Sequence, residues 1–392
     1  MIILPIEVSI TTLGISSVSV SASVVESCAC TCKKNPKTEK DKSKSLSFMV
    51  SILDCTCLLA KHFCNSACIL MLITMLFAGC SNQSYKEFKG YTMGTSYRIV
   101  SQCEQLVEPK VIATKLDELE SVLSTHRPDS DITRFNQSEP LKWLAVDRSL
   151  VNVVELAEQV SLATNGKFDI TVKPLIDLWG FGTTVVQESP TADEIRKVLP
   201  LVDYRAIDWR YTQPALRKQQ ELSIDVSGIG KGYAVDQVAQ YLEENRCDNY
   251  LIDIGGEVRV LGHNPNGTPW QVAIETPDLS GRVQLKLAIL EGAVATSGTY
   301  RNFRTFEEST VSHLIDPQQG YPVRSHLVSA TVYATTTTQA DAICTALFVM
   351  GIEAGLEYAE QKNIAVVFMT LLPERQGLDY QLSTAMEAII EY

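Results

Sequence analysis

Ser223-Ile-Asp-Val-Ser-Gly-Ile-Gly-Lys-Gly-Tyr-Ala-Val-Asp236 is the stretch from which the fold is read. A short apolar segment runs into an acid, Asp225. A Ser-Gly-Ile-Gly turn follows, then Lys231 and a helix expected over 231–245. Glycine lets a backbone approach a ligand closely, and a helix N-terminus favours anions. One carboxylate, one ammonium and the amides of such a turn suit a phosphorylated ligand. Lys231 at a helix start is unfavourable unless an anion lies near it; the competing reading is a solvated lysine.

Working outward, strands and helices mix without a strict βαβ period, which indicates an α+β fold rather than a doubly wound sheet. Apolar spacing predicts helices over 108–124, 147–164, 191–199 (opened by Thr191) and 338–350. Strands are expected over 90–100, with a break at Met93-Gly94, and at 205–212, 222–227, 251–261, 270–275, 283–291, 293–297, 311–315, 327–334 and 365–370. Residues 124–136 read as a polar loop, and 166–172 as a short strand or extended turn.

The chain has 392 residues, 45% of them hydrophobic, enough for a well-buried core. Its net charge of −12 argues against nucleic acid as a partner. Any polyanionic ligand therefore needs local help from a cation, a lysine or backbone amides. Of eleven cysteines, only Cys103, Cys247 and Cys344 follow Cys80. This odd, widely spaced trio suggests no disulfide framework.

The apolar run 67–79 ends in Leu-Phe-Ala-Gly-Cys80-Ser-Asn. It is shorter than the roughly 20 residues that span a bilayer. It resembles a bacterial lipobox, which implies lipidation at Cys80 and attachment to the membrane. Initiation at Met49 would give an ordinary signal peptide over 49–79. Residues 1–48 then read as an upstream extension or removed leader, 80–89 as a tether, and 90–392 as the working domain.

The motifs Tyr91-Thr-Met-Gly-Thr, Ser124-Thr-His-Arg-Pro-Asp-Ser, Phe168-Asp-Ile-Thr-Val-Lys-Pro-Leu, Leu178-Trp-Gly-Phe-Gly, Asp253-Ile-Gly-Gly-Glu, Ala295-Thr-Ser-Gly, Ser312-His-Leu-Ile-Asp-Pro and Ala340-Asp-Ala-Ile-Cys-Thr-Ala-Leu follow one another in order, with the opening stretch among them. Together, over about 300 residues, they resemble the ApbE-type flavin transferases (FAD:protein FMN transferases). The resemblance implies an ApbE-like fold with mixed or antiparallel sheets and packed helices, and an FAD site between subdomains. It also implies Mg²⁺ dependence and transfer of FMN from FAD to a threonine of an acceptor protein, with AMP released. The acceptors it points to are flavin-carrying subunits of sodium-pumping quinone reductase or Rnf-type complexes. With the lipobox, it implies a lipid-anchored protein of the cell envelope, facing the periplasm; the expected partners point to the inner membrane, whereas Ser81 after Cys80 is not the aspartate that retains lipoproteins there.

Asp341 and Thr345, four apart on a helix, share one face. Their oxygens suit Mg²⁺, and the resemblance adds the backbone carbonyl of Gly228. Asp225 and Lys231 are the candidate catalytic pair: Asp225 as base, FAD ligand or support of the metal shell, Lys231 as partner of phosphate. Met93 packs on the flavin or in the core. Lys167, Phe168 and Asp169 match a segment that contacts FAD, although Asp169 would also serve as a turn acid. His126 stands where the family carries tyrosine. His313 and Ile315 line the adenine side or are structural, and Trp179 and Phe181 cover a pocket or fill the core. Two other activities fit the same motifs: hydrolysis of FAD to FMN and AMP, and flavin binding without catalysis.

Overall fold

The computed structural model of the chain describes residues 84–182, 186–277, 281–299, 303–306, 309–372 and 377–391. The expectations for 1–48, the signal peptide and Cys80 fall outside them. Among the described residues, no helix is long and apolar enough to cross a membrane.

Eight strands form the frame: β1 (Lys86–Thr92), β2 (Thr95–Cys103), β3 (Cys247–Ile254), β4 (Glu257–Leu261), β5 (Glu291–Gly298), β6 (Leu327–Ala334), β7 (Ala365–Leu372) and β8 (Gly377–Leu382). They lie side by side in chain order, and every neighbouring pair is antiparallel. Successive side chains on a strand point to opposite faces, so each strand feeds two cores. On β7, Val366 and Phe368 face one core while Val367 and Met369 face the other.

Helices cover the first face. They are α1 (Pro109–Leu123), α2 (Arg148–Ala163), α3 (Gly230–Glu244) and α4 (Thr337–Met350). Helix α4 lies across β5 and β6, and α3 across β3 and β4. A three-stranded sheet of Trp270–Glu275, Val283–Ile289 and Ile390–Glu391 packs on the second face through Val272, Leu287 and Ile390.

Thr92 pairs with Thr95, so the break expected at Met93-Gly94 is a two-residue hairpin turn. Both turn residues have positive φ, 47° and 73°. That is the handedness tight hairpins need, and Met93 adopts it against its preference. Capping sets the helix starts: Thr191 and Glu194 form a reciprocal capping box before Ala192–Val198.

Several expectations are corrected. Residues 131–137 form a helix, not a loop, because Ser130 accepts from Thr133 N. Residues 166–172 are not a strand; Asp169 caps a 3-10 turn over Ile170–Val172. Residues 222–226 join no sheet, and Ser227 already belongs to the turn. Asn136 clamps them instead, accepting from Ile224 N at 2.7 Å and donating to Ile224 O at 2.9 Å. The tether ends early, since β1 starts at Lys86 and buries Phe88.

The cysteine reading is also overturned. Cys103 and Cys247 form a disulfide. Their strands, β2 and β3, are adjacent in the sheet, so residues 144 apart in sequence become register partners. Closing so long a loop removes much chain entropy from the unfolded state. Replacing Cys103 by serine is expected to cost about 3 kcal/mol. A thermal melt that matches wild type, with or without reductant, would contradict this.

Candidate active site

The turn after Asp225 is set by main-chain bonds. Ile229 N and Gly230 N donate to Val226 O at 3.1 and 2.7 Å, leaving Ser227 and Gly228 at the apex. The segment before it is stapled from below. Lys218, 1% exposed, donates to Asn136 O and Leu222 O at 3.0 and 3.1 Å, and burial lowers its pKa. Asp225 N donates to Ile170 O at 2.7 Å, and its Oδ1 accepts from Ser227 N at 2.8 Å.

Helix α4 brings the second half of the site. Its first amides need an acceptor, and α3 supplies one. Asp236 accepts from Thr337 N, Thr338 N and Thr338 Oγ1 at 3.0, 2.8 and 2.5 Å, and pairs with Arg259 at 2.6 Å. One turn earlier on α3, Gly232 touches α4. A Cβ there would stand 2.4 Å from Thr337 O and 2.9 Å from Asp341 Cβ. This close approach lets Gly232 N donate to Asp341 Oδ2 at 3.0 Å.

Asp341 is 4% exposed, and burial raises its pKa against the opposing pull of the Lys231 charge. Thr345 Oγ1 lies 3.2 Å from Ser297 Oγ. It also lies 3.2 Å from where a Cβ on Gly228 would sit. The apex glycine and the threonine are thus in close register. Cys344 between them is structural: it accepts from Ser297 N at 3.0 Å and donates to Ala330 O at 2.8 Å.

These groups line one cavity of about 680 Å³. Met93, His126, Lys167, Phe168, Asp169, Asp225, Gly228, Lys231, His313, Ile315, Asp341 and Thr345 all contribute to its wall. The volume is within the usual range of ligand sites.

Several of these side chains are committed to the wall. Asp169 accepts from Thr171 N and Thr171 Oγ1 at one oxygen and from Tyr204 N at the other, and so braces its turn. Lys167 pairs with Asp316 at 2.9 Å and ties two wall segments together. Met93 N donates to Glu120 Oε2 at 3.2 Å. Trp179, 1% exposed, donates to Gly320 O and belongs to the core, whereas Phe181 meets His313 edge-on at the cavity.

The sequence reading passed over Glu257. It sits at the start of β4, is 3% exposed, and pairs with Lys231 at 2.8 Å. The anion that accommodates Lys231 at its helix start is therefore a carboxylate of the protein itself. The available signal was the acid closing Asp253-Ile-Gly-Gly-Glu257 directly after a glycine pair. Ser297, from Ala295-Thr-Ser-Gly298, was likewise missed.

The ApbE family pattern matches residues 93–368, a span that includes every described group above that lines the cavity. The chain belongs to the ApbE family. Among its ApbE relatives, the FAD:protein FMN transferase of Vibrio cholerae is 37% identical over 307 residues, 75% of this chain and 90% of the relative. That of Haemophilus influenzae is 35% identical over 346 residues, 83% and 98% of the two chains. Among solved ApbE structures, the flavin transferase from Vibrio cholerae aligns with a TM-score of 0.69 at 34% identity, over 78% of this chain and 99% of its own. The apo flavinyl transferase of Pseudomonas stutzeri gives 0.70 at 33% identity, over 78% and 96%. The α+β expectation and the ApbE fold hold.

The donors suit a hard cation. Among the described residues, no group of three or more His, Cys, Asp or Glu side chains is arranged to hold a metal. Asp341, Thr345 and the Gly228 carbonyl offer oxygen only, the preference of Mg²⁺, which keeps several waters and shares phosphate oxygens.

Proposed function

We propose that the protein transfers the FMN part of FAD to a threonine hydroxyl of an acceptor protein and releases AMP. One observation carries this reading: Asp341, Thr345, Gly228, Asp225 and Lys231 converge on one cavity of about 680 Å³, in a chain whose relatives are FAD:protein FMN transferases.

Asp341 and Thr345, with the Gly228 carbonyl, would hold Mg²⁺. Bound there, the metal supplies neutralising charge to the pyrophosphate. Lys231 places a second positive charge on the same wall, in an environment partly screened from water. Phe168 and Met93 give apolar surface to the flavin, and the His126 imidazole offers it a smaller ring than tyrosine would. The hydroxyl oxygen of the acceptor forms a bond to the FMN-side phosphorus, and the bond from that phosphorus to the AMP oxygen breaks. A threonine hydroxyl is weak at neutral pH and needs a proton acceptor. Asp225, on the loop beside Gly228, is the candidate for that role.

The cellular setting follows the same reading. Lipidation at Cys80 would tether the domain to the inner membrane, facing the periplasm. The acceptors would be flavin-carrying subunits of sodium-pumping quinone reductase or Rnf-type complexes. The Cys103–Cys247 disulfide supports an oxidising compartment.

Incubation of the protein with FAD, Mg²⁺ and such a subunit, followed by intact-mass analysis, tests the proposal. The acceptor should gain one FMN moiety as AMP appears. Free FMN and AMP beside an unmodified acceptor would make the protein a hydrolase, and unchanged FAD would make it a carrier.

A further inference from the structure

Two carboxylates and one ammonium share the metal end of the cavity. Glu257 Oε1 accepts from Lys231 Nζ at 2.8 Å. Its other oxygen, Oε2, is buried with no hydrogen-bond partner. Asp341 receives a bond from Gly232 N and also feels the Lys231 charge. The two acids repel each other, and burial together with that repulsion pushes Glu257 up. A buried carboxylate half satisfied by its surroundings costs stability and calls for a compensating role.

That role follows from counting charge. One ammonium cannot neutralise two carboxylates. If Lys231 settled on Asp341, it would occupy the carboxylate that a cation needs and compete with it directly. Glu257 prevents this by offering the ammonium a hydrogen-bonded partner at 2.8 Å. We infer that Glu257 is the positioning residue of the metal site: it holds Lys231 on its own carboxylate and so keeps Asp341 open to a divalent cation. The inference rests on the metal assignment made above for Asp341 and Thr345. Glu257 acts through Lys231 and needs no contact with the metal. Glu257 itself contributes to the cavity wall.

The test is calorimetric titration of Mn²⁺ into the full-length protein without FAD, so that the readout is cation affinity and not turnover. Glu257→Gln keeps the shape and removes the charge. It is expected to weaken Mn²⁺ binding about 10- to 100-fold, the range seen when an outer partner of a metal site is lost. Lys231→Met should bind Mn²⁺ at least as tightly as wild type, because the competitor is gone. The double variant Glu257→Gln/Lys231→Met should recover most of the affinity lost in Glu257→Gln. Unchanged affinity in Glu257→Gln, or a double variant no better than that single one, would overturn the inference. Circular dichroism reports whether Glu257→Gln folds. If it does not, Lys231→Met alone decides, and weaker binding than wild type counts against the inference. Failure of the wild-type protein to bind Mn²⁺ is a separate result; it would remove the metal assignment itself, and the inference with it.

Discussion

Asp341→Ala is expected to abolish FMN transfer and divalent-cation binding while the protein remains folded. The argument has two sides. Asp341 is the one carboxylate in the proposed metal set, so its loss leaves only a hydroxyl and a carbonyl, too little charge to hold Mg²⁺ against water. On the stability side, Asp341 is a buried charge whose desolvation already disfavours its ionised form. Removing it deletes that cost and strands one donor, Gly232 N. A stranded buried donor costs about 1–3 kcal/mol, which the lost desolvation penalty offsets in part. A thermal melt within a few degrees of wild type, no heat on Mn²⁺ titration and no modified acceptor are the expected results. Full transfer activity in Asp341→Ala would discredit the metal assignment outright.

The second large effect is expected from a single methyl group. In Gly232→Ala the added carbon would lie 2.4 Å from Thr337 O and 2.8 Å from Thr337 C, both main-chain atoms. A side chain could swing away, but a helix backbone can only move as a body. Helix α4 must therefore lift from α3, carrying Asp341 and Thr345 off the Gly228 loop. Overpacking of this kind costs about 1–3 kcal/mol. Displacing reacting groups by about 1 Å costs on the order of a hundredfold in rate. Both the melting temperature and the rate of FMN transfer should fall, the rate by far the more. Gly232→Ala with wild-type kinetics would mean that the two helices do not need this contact to assemble the site.

Much of this architecture was readable from local sequence. Thr191 announced a helix, and the apolar spacing of 108–124 and 147–164 gave α1 and α2 to within a residue or two of their ends. The Asp341–Thr345 pair was visible because helical periodicity alone puts them on one face. What escaped was non-local. Cys103 and Cys247 meet only because β2 and β3 are neighbours, a fact no spacing reveals. Glu257 becomes a site residue only when β4 swings it against Lys231 of α3. The polar helix Ile352–Lys362 buries just Gly355 and Ala359, and edge strand β8 is half exposed along its length, so neither carries a clear periodic signal. Asp169 is a mixed case. The family segment offered it as a ligand contact or a turn acid, and it accepts from Thr171 N, two residues on, and from Tyr204 N, far along the chain.

The disulfide joins the last residue of β2 to the first residue of β3. Everything from 104 to 246 is thus a single bag drawn shut at its mouth, and that bag supplies Lys167, Phe168, Asp225, Gly228 and Lys231. Asp341, Thr345 and Glu257 sit on the rigid rim outside. Cutting the drawstring would therefore free the loop that carries one wall of the cavity at its mouth, and leave the β2–β3 ladder and the α3–α4 bonds of Asp236 and Gly232 to keep Gly228 beside Thr345.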